Sequence, residues 1–404
     1  MHQSRKITDD VYYVGGSDRR ISRFENVFPV PDGIAYNSYL VLDEKTVLLD
    51  TVDLSVSRVF LENIEHLLNG RKLDYVIINH MECDHSCTLE ELVLRYPDIQ
   101  FIGNAKTFTF MKQFFKFPVD GHTIEVKEGS TLTTGKHTFS FHMAPMVHWP
   151  EVMMTYDTTE KIMFTSDAFG TFGALNGNIF VDELEDRILL LPEARRYYTN
   201  IVGKYGAQVQ AVLKKIAPLD IRYICALHGP VWNNQEDIAW ILDKYNKWSS
   251  YTPENEDIVI FYGSIYGNTE NAVNVLSVKL AQLGVKNIKM YDVAETDISY
   301  LIAEAFRAKV LVFASSSYNA GVFDKMEYLL LDLKAHNIQN RSVMLIENGS
   351  WAPSAAKAMN EIISGMKNIN LLNHNLSIKS QLNPEQEEQI DATAQVLKQA
   401  LQTS

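Results

Sequence analysis

The apolar, strand-length run Tyr75-Val76-Ile77-Ile78 leads directly into Asn79-His80-Met81-Glu82-Cys83-Asp84-His85. Four side chains able to bind a metal fall within six positions there, in the order His-x-Glu-x-Asp-His. A loop leaving the carboxyl end of a buried strand can aim such donors into one small volume. Asp84 could instead cap a following helix, but capping accounts for only one of the four. The rest of the chain must therefore build a frame, and further donors, around this loop.

Three more candidates sit just past apolar runs. His148, before Trp149-Pro150, follows Phe139 to Val147; Asp167 follows Lys161 to Ser166; His228, before Gly229-Pro230, follows Tyr223 to Leu227. Alone, each reads as a polar strand end. Together with the loop they make seven nitrogen and oxygen donors, which suit two metal ions sharing one carboxylate better than a single ion. Asp167, with two oxygens on a short side chain, is the natural bridge. Imidazole and carboxylate ligands suit iron, manganese or zinc. Cys83 alternates with the donors and is expected to point away from the metals, and Cys87 lies nearby without ligating. The other histidines, among them His66, His137 and His374, lack such company and are expected to be ordinary. No catalytic residue beyond the metal ligands is indicated.

The chain changes character near Tyr251-Thr252-Pro253-Glu254-Asn255-Glu256-Asp257. A polar, Pro-containing stretch there separates a helical pattern from the apolar strand Ile258 to Tyr262, which predicts domains over 1–252 and 256–404. Upstream, strand-length runs with irregular loops, a helix pattern from Val56 to Leu68 and successive strands over 123–165 predict an α/β/β/α layering. Downstream, strands at 258–262, 288–291, 309–314, 342–347 and about 370–378 alternate with helices, which predicts a doubly wound parallel sheet.

With 37 Lys+Arg against 50 Asp+Glu and a net charge of −13, the chain lacks the basic excess that nonspecific nucleic-acid binding relies on. No stretch approaches the roughly 18 apolar residues of a membrane span, and the N-terminus has no signal-peptide core. Three cysteines cannot form a disulfide framework, so a cytoplasmic location is expected.

In the second half, Gly263-Ser264-Ile265-Tyr266-Gly267-Asn268-Thr269-Glu270 joins a strand to a helical pattern. Backbone N–H groups, hydroxyls and a helix N-terminus can wrap a phosphate. No Lys or Arg lies in this loop, which suits a phosphate monoester and not a Gly-x-x-x-x-Gly-Lys nucleotide loop. Two later strand ends carry flexible loops with an aromatic, Ser315-Ser316-Ser317-Tyr318-Asn319-Ala320-Gly321 and Glu347-Asn348-Gly349-Ser350-Trp351-Ala352-Pro353. Open α/β sheets bind ligands at that edge.

The order His-x-Glu-x-Asp-His, then His, Asp and His, resembles the metallo-β-lactamase fold in its flavodiiron protein variant. Hydrolases of that fold usually carry His-x-His-x-Asp-His and often hold zinc; here Glu82 stands at their second His. A carboxylate adds negative charge and a harder donor, which favours iron that cycles between ferrous and ferric. The resemblance implies an N-terminal metallo-β-lactamase-like αββα sandwich followed by a flavodoxin-like domain. It also implies one iron on His80, Glu82 and His148, another on Asp84, His85 and His228, and Asp167 bridging. In some members the counterpart of His85 is displaced from the metal. Asp50, after Val47-Leu48-Leu49, matches a position that often supports a ligand histidine.

The three loops of the second half resemble the phosphate loop and the two isoalloxazine loops of flavodoxins, with FMN as the implied cofactor. The implied contacts are Ser264, Tyr266, Gly267, Asn268, Thr269, Ser315, Ser316, Ser317, Tyr318, Asn319, Gly321, Asn348, Gly349, Ser350 and Trp351. Tyr266 stands where flavodoxins commonly have Thr, and the 348–351 loop lacks an all-Gly opening; both departures also occur among flavodiiron proteins.

The implied activity is reduction of O₂ to water, of NO to N₂O, or both, with electrons passing through FMN. The family forms head-to-tail homodimers, some of them dimers of dimers, that bring one chain's flavin to the other's irons, and Trp149 is a candidate to border that junction. With no rubredoxin-like Cys-x-x-Cys module in the sequence, the donor is expected to be separate, a rubredoxin-like protein or a reduced deazaflavin. Phe24, Tyr36 and 168–181 are candidates to line the substrate pocket. Two other readings stay open at this point: a zinc-dependent hydrolase with a fused flavodoxin-like domain, and an electron carrier whose first domain has lost its metals.

Overall fold

The computed structural model describes residues 2–373 and 375–402; the expectation for His374 lies outside them. The chain divides into two units, Met1–Tyr198 with Ala207–Asn246, and Thr199–Gly206 with Lys247–Ser404.

The first unit contains a seven-stranded and a five-stranded sheet. In the larger sheet, Thr46–Leu49, Tyr75–Ile77, Gln100–Gly103 and Thr123–Glu125 run parallel in that order, so their carboxyl ends share one edge. Alternate side chains point to opposite faces of a strand. Val47, Leu49, Ile77 and Ile102 accordingly join Phe139, Phe141, Ile162, Phe164 and Cys225 of the smaller sheet in one apolar layer. The outer face is buried too: Leu48 and Val76 are inaccessible, and helix Ser57–Leu68 buries Phe60, Ile64 and Leu68 at four-residue spacing. Only three of the residues in the 123–165 run pattern pair with the larger sheet; the remaining strands, from Thr131–Thr133 onward, form the smaller one. The turn at Gly129-Ser130 separates the two layers, a switch that strand patterning cannot reveal.

The smaller sheet is antiparallel until Ile162–Phe164 meets Tyr223–Cys225 in parallel. Thr155 pairs with Phe164, so the turn before Met153, which carries His148, projects past the same end of the sheet from which the chain enters Asp167. The register thus sets all the strand-end donors of this sheet on one edge.

In the second unit the strand order is Lys289–Asp292, Asn255–Gly263, Ala308–Tyr318, Arg341–Asn348, Ile369–Leu371, all parallel. This is a doubly wound α/β sheet whose switch point lies between Asn255–Gly263 and Ala308–Tyr318. Ile258, Ile260, Val310, Val312, Met344 and Ile346 pack against helices Asn268–Gln282 and Glu387–Gln402 on one face. The last expected strand is divided: Arg341–Val343 pairs with Ile369–Leu371, while Ile346–Asn348 pairs with Leu376–Ile378. The outer strand runs two residues longer than its partner between these ladders, which interrupts the pairing. Among the described residues, no helix is long and apolar enough to cross a membrane.

One buried ion cluster ties the first unit together away from the sheet edge that carries the donors. His137 Nδ1 lies 2.6 Å from Asp157 and its Nε2 3.3 Å from Asp10, which also pairs with Lys136 at 2.8 Å. Burial disfavours a charged ring, but the Asp157 hydrogen bond and both carboxylate charges outweigh it and raise the His137 pKa above 6.5. A raised folded-state pKa gives stability that is complete below the unfolded value and is lost as pH rises through the folded one. His137→Gln, which keeps polar atoms but no charge, should cost about 3 kcal/mol at acidic pH, because the buried Asp157 loses its charged partner. The cost should shrink at alkaline pH, and urea unfolding midpoints across pH would measure it.

Candidate metal centre and phosphate pocket

The ligand-rich loop is fixed through its backbone. Asp50, at a left-handed φ of 55° just past Thr46–Leu49, accepts hydrogen bonds from the Asn79 and His80 backbone N–H groups at 2.7 and 3.1 Å and from Asn79 Nδ2 at 2.7 Å. Thr155 Oγ1 donates to Asn79 Oδ1, and Thr51 donates through both N–H and hydroxyl to the His85 carbonyl. Burial pushes the Asp50 pKa up to about 6, against these hydrogen bonds. The support that the sequence leads one to expect from Asp50 reaches His80 through its backbone and not through a ring nitrogen.

The ring is supported by a residue that carries no motif. Glu151 Oε1 accepts from His80 Nδ1 at 2.8 Å and from Met81 N at 3.0 Å, fully buried. Its only sequence signal is an acidic residue three positions after His148, inside an otherwise apolar turn.

All seven expected donors meet. His80, Glu82, His148 and Asp167 form one group and Asp84, His85 and His228 another, the donor atoms within each lying no more than 4.8 Å apart. Asp167 divides its oxygens between them. Oδ2 lies 3.0 Å from His148 Nε2 and 3.3 Å from His80 Nε2, while Oδ1 lies 3.2 Å from His85 Nε2 and 3.7 Å from His228 Nε2. Glu82 Oε2 stands 3.1 and 3.0 Å from His80 and His148, and Asp84 Oδ2 3.1 and 3.2 Å from His85 and His228.

This arrangement fits a pair of cations. His228 Nδ1 lies 2.7 Å from the Ala35 carbonyl, which can only accept, so a proton sits there and Nε2 is the nitrogen turned inward. The His80 Nδ1–H is likewise committed to Glu151. His85 and His228 bring their Nε2 atoms to 3.0 Å of each other, and both Asp84 oxygens and Asp167 Oδ1 are buried without a hydrogen bond. Leaving buried carboxylate oxygens unpaired costs several kcal/mol, and a cation between the donors removes that cost. Charge sharing shows the same tension. Burial opposes charged rings, yet Asp167 holds the His80 pKa well above its usual value, and Asp84 and Asp167 raise His85 to about 10. Burial opposes an ionised Asp167 too, but His80, His148 and His85 hold its pKa well below the carboxylate range. Glu82 and His148 keep 16% and 12% side-chain exposure, so the first group faces the opening.

Cys83 is exposed and Cys87 partly so, and neither joins a donor group. Phe24, Tyr36 and Tyr197 pack against the His228 ring at 5.2, 5.7 and 5.4 Å. Phe172, from the expected 168–181 segment, extends that wall, 5.8 Å from Phe24 and 5.1 Å from Tyr197; Tyr197 has no sequence signal of its own. Trp149 stands edge-on to His80 at 5.3 Å, with Phe110 and Phe114 on its far side.

In the second unit a cavity of about 580 Å³ opens at the carboxyl ends of the parallel strands. Of the expected residues, Tyr266, Asn268, Thr269, Ser316, Ser317, Tyr318, Asn319, Asn348, Gly349, Ser350 and Trp351 line it. Ser264, Gly267, Ser315 and Gly321 do not. Ser264 Oγ instead accepts from Glu270 N, and Gly267 supplies the φ of 84° at the start of helix Asn268–Gln282. Ser380 also lines the cavity, exchanging hydrogen bonds with Asn348 at 2.9 and 3.0 Å from a loop without a motif. Among the described residues no cationic side chain lines it, so an anion there would rest on hydroxyls, backbone N–H groups and the helix N-terminus. Tyr266 and Trp351, each 91% exposed, offer open aromatic faces.

Residues 34–229 match the family model described as ODP family beta lactamase. An anaerobic nitric oxide reductase flavorubredoxin of Pectobacterium carotovorum is 30% identical over 351 residues, 85% of this chain and 68% of that protein. The structure of rubredoxin oxygen:oxidoreductase from Desulfovibrio gigas superposes with a TM-score of 0.91 at 28% identity, covering 99% of this chain and 98% of that one. The flavodiiron protein from Giardia intestinalis shares the fold, with a TM-score of 0.93 at 23% identity over 100% and 98% of the two chains.

Asp50→Ala would strand the buried N–H groups of Asn79 and His80. It should lower stability by about 2–3 kcal/mol and reduce bound metal, as read by thermal unfolding and metal analysis of the purified protein.

Proposed function

The chain belongs to the flavodiiron protein family, and from that premise we propose that it reduces O₂, NO or both at a diiron centre, with electrons passing through FMN. It is an oxidoreductase with a flavin and a non-haem diiron site. The observation that carries the finer reading is the Asp167 carboxylate, one oxygen facing each donor group. We assign one iron to His80, Glu82 and His148, the other to Asp84, His85 and His228, and the bridge to Asp167. The diiron domain is 1–252 and the FMN domain 256–404.

When bound, two ferrous ions and a reduced flavin together supply four electrons, enough to convert O₂ and four protons to two waters, or two of them to convert two NO and two protons to N₂O and water. The chain's own residues prepare for this. Glu151 and the Ala35 carbonyl hold the Nδ1 protons of His80 and His228, leaving Nε2 free to bind. Phe24, Tyr36, Phe172 and Tyr197 shield the His228 side from water. Thr269 and Ser316, hydrogen-bonded at 2.9 Å, and the start of helix Asn268–Gln282 would hold the flavin phosphate, and the loops carrying Tyr318 and Trp351 would hold the isoalloxazine.

The relatives named for nitric oxide reduction and for rubredoxin-linked oxygen reduction support both substrates; the donor we propose is a rubredoxin-like protein or a reduced deazaflavin. A head-to-tail homodimer, alone or paired as a dimer of dimers, completes the electron path.

Purified protein should carry two irons and one FMN per chain. After anaerobic reduction it should consume O₂ or NO in parallel turnover assays, whose relative rates set the preference. Zinc without iron would leave the hydrolase reading standing, and an iron-loaded, reduced protein inert to both gases would leave the electron carrier.

A further inference from the structure

Three of the four histidines in the metal centre differ in what holds the ring nitrogen turned away from the donor groups. His80 Nδ1 meets the Glu151 carboxylate at 2.8 Å, His228 Nδ1 meets the neutral Ala35 carbonyl at 2.7 Å, and His85 Nδ1 is buried with no hydrogen-bond partner. Glu151 is 1% exposed, and its second oxygen has no partner. Its hydrogen bonds go to the His80 ring and the Met81 N–H, both at Oε1. Asn104 Nδ2 donates to the Glu151 carbonyl at 2.6 Å, which anchors the residue behind the ring. A carboxylate behind a ligand imidazole makes the inward nitrogen a stronger donor than a carbonyl does. With Asp167 facing both groups, each position has four donors, so what distinguishes them is the partner behind the ring.

We propose that Glu151 makes the two metal positions unequal: the His80, Glu82 and His148 position holds its ion more tightly, and the Asp84, His85 and His228 position releases its ion first. Glu151 acts as a positioning residue through His80 and touches neither metal nor substrate. The inference rests on the dinuclear reading above.

The test is anaerobic release of ferrous iron from the loaded full chain into a coloured ferrous chelator. The wild-type protein should release two irons per chain in two phases of equal amplitude. Glu151→Gln keeps an oxygen to accept from His80 Nδ1 and Met81 N and removes only the charge. It should speed the slow phase about 10- to 100-fold, the usual effect of losing such a partner, and leave the fast phase unchanged. Circular dichroism and the unfolding midpoint check that the variant is folded. A single release phase in the wild type, an unchanged slow phase in the variant, or equal acceleration of both phases would each overturn the inference. The wild-type result decides by itself should the variant not fold. Fewer than two irons per loaded chain would remove the dinuclear reading, and this inference with it, whereas two irons leaving at one rate would remove the inference alone.

Discussion

Lone pairs and negative charges converge around Asp167 from four histidines and two further carboxylates, and the cost of holding them together in a buried site is the constraint on which the first unit depends. Without a cation, protons must sit on the rings to balance the carboxylates, as the raised His80 and His85 and the depressed Asp167 pKa values record. The frame has to resist this tension. It does so with two sheets sharing one apolar layer, with Asp50 clamping the ligand loop, and with turns that force non-glycine residues into left-handed backbone. Asp50, Met146, Ser166 and Phe169 have φ values of 55°, 64°, 56° and 70°, each at or beside a turn that delivers a donor. Such conformations persist only where the surroundings over-determine them, and they gather at functional sites.

The second unit meets the opposite requirement. Among the described residues no charged side chain lines its cavity, and its loops are tied by neutral hydrogen bonds such as Thr269 to Ser316 and Asn348 to Ser380. The aromatic faces of Tyr266 and Trp351 are left open. A rigid parallel sheet beneath makes those weak ties sufficient, because the strand ends hold the loops in place.

Much of this is legible in the order of residues. The seven donors stand out because each follows a strand pattern, and parallel strands put their carboxyl ends on one edge. The loops around the second cavity are legible for the same reason, yet four of the residues expected there do not line it. Glu151 is not legible as a partner of His80, because 71 residues separate the two and only the meeting of two sheets brings them together. Asp50 is recognisable as a support for the site, but its route through the backbone of His80 depends on how the chain bends after Leu49.

The sequence by itself determined the chemical kinds of donor and their places after strands, since these follow from local periodicity and residue type. Tertiary structure alone decided that Asp167 turns one oxygen to each group, that His80 is backed by a carboxylate and His228 by a carbonyl, and that Ser380 closes the second cavity. Each of those depends on the direction of a side chain across elements far apart in sequence, and direction is set by sheet register and packing, which no local pattern encodes.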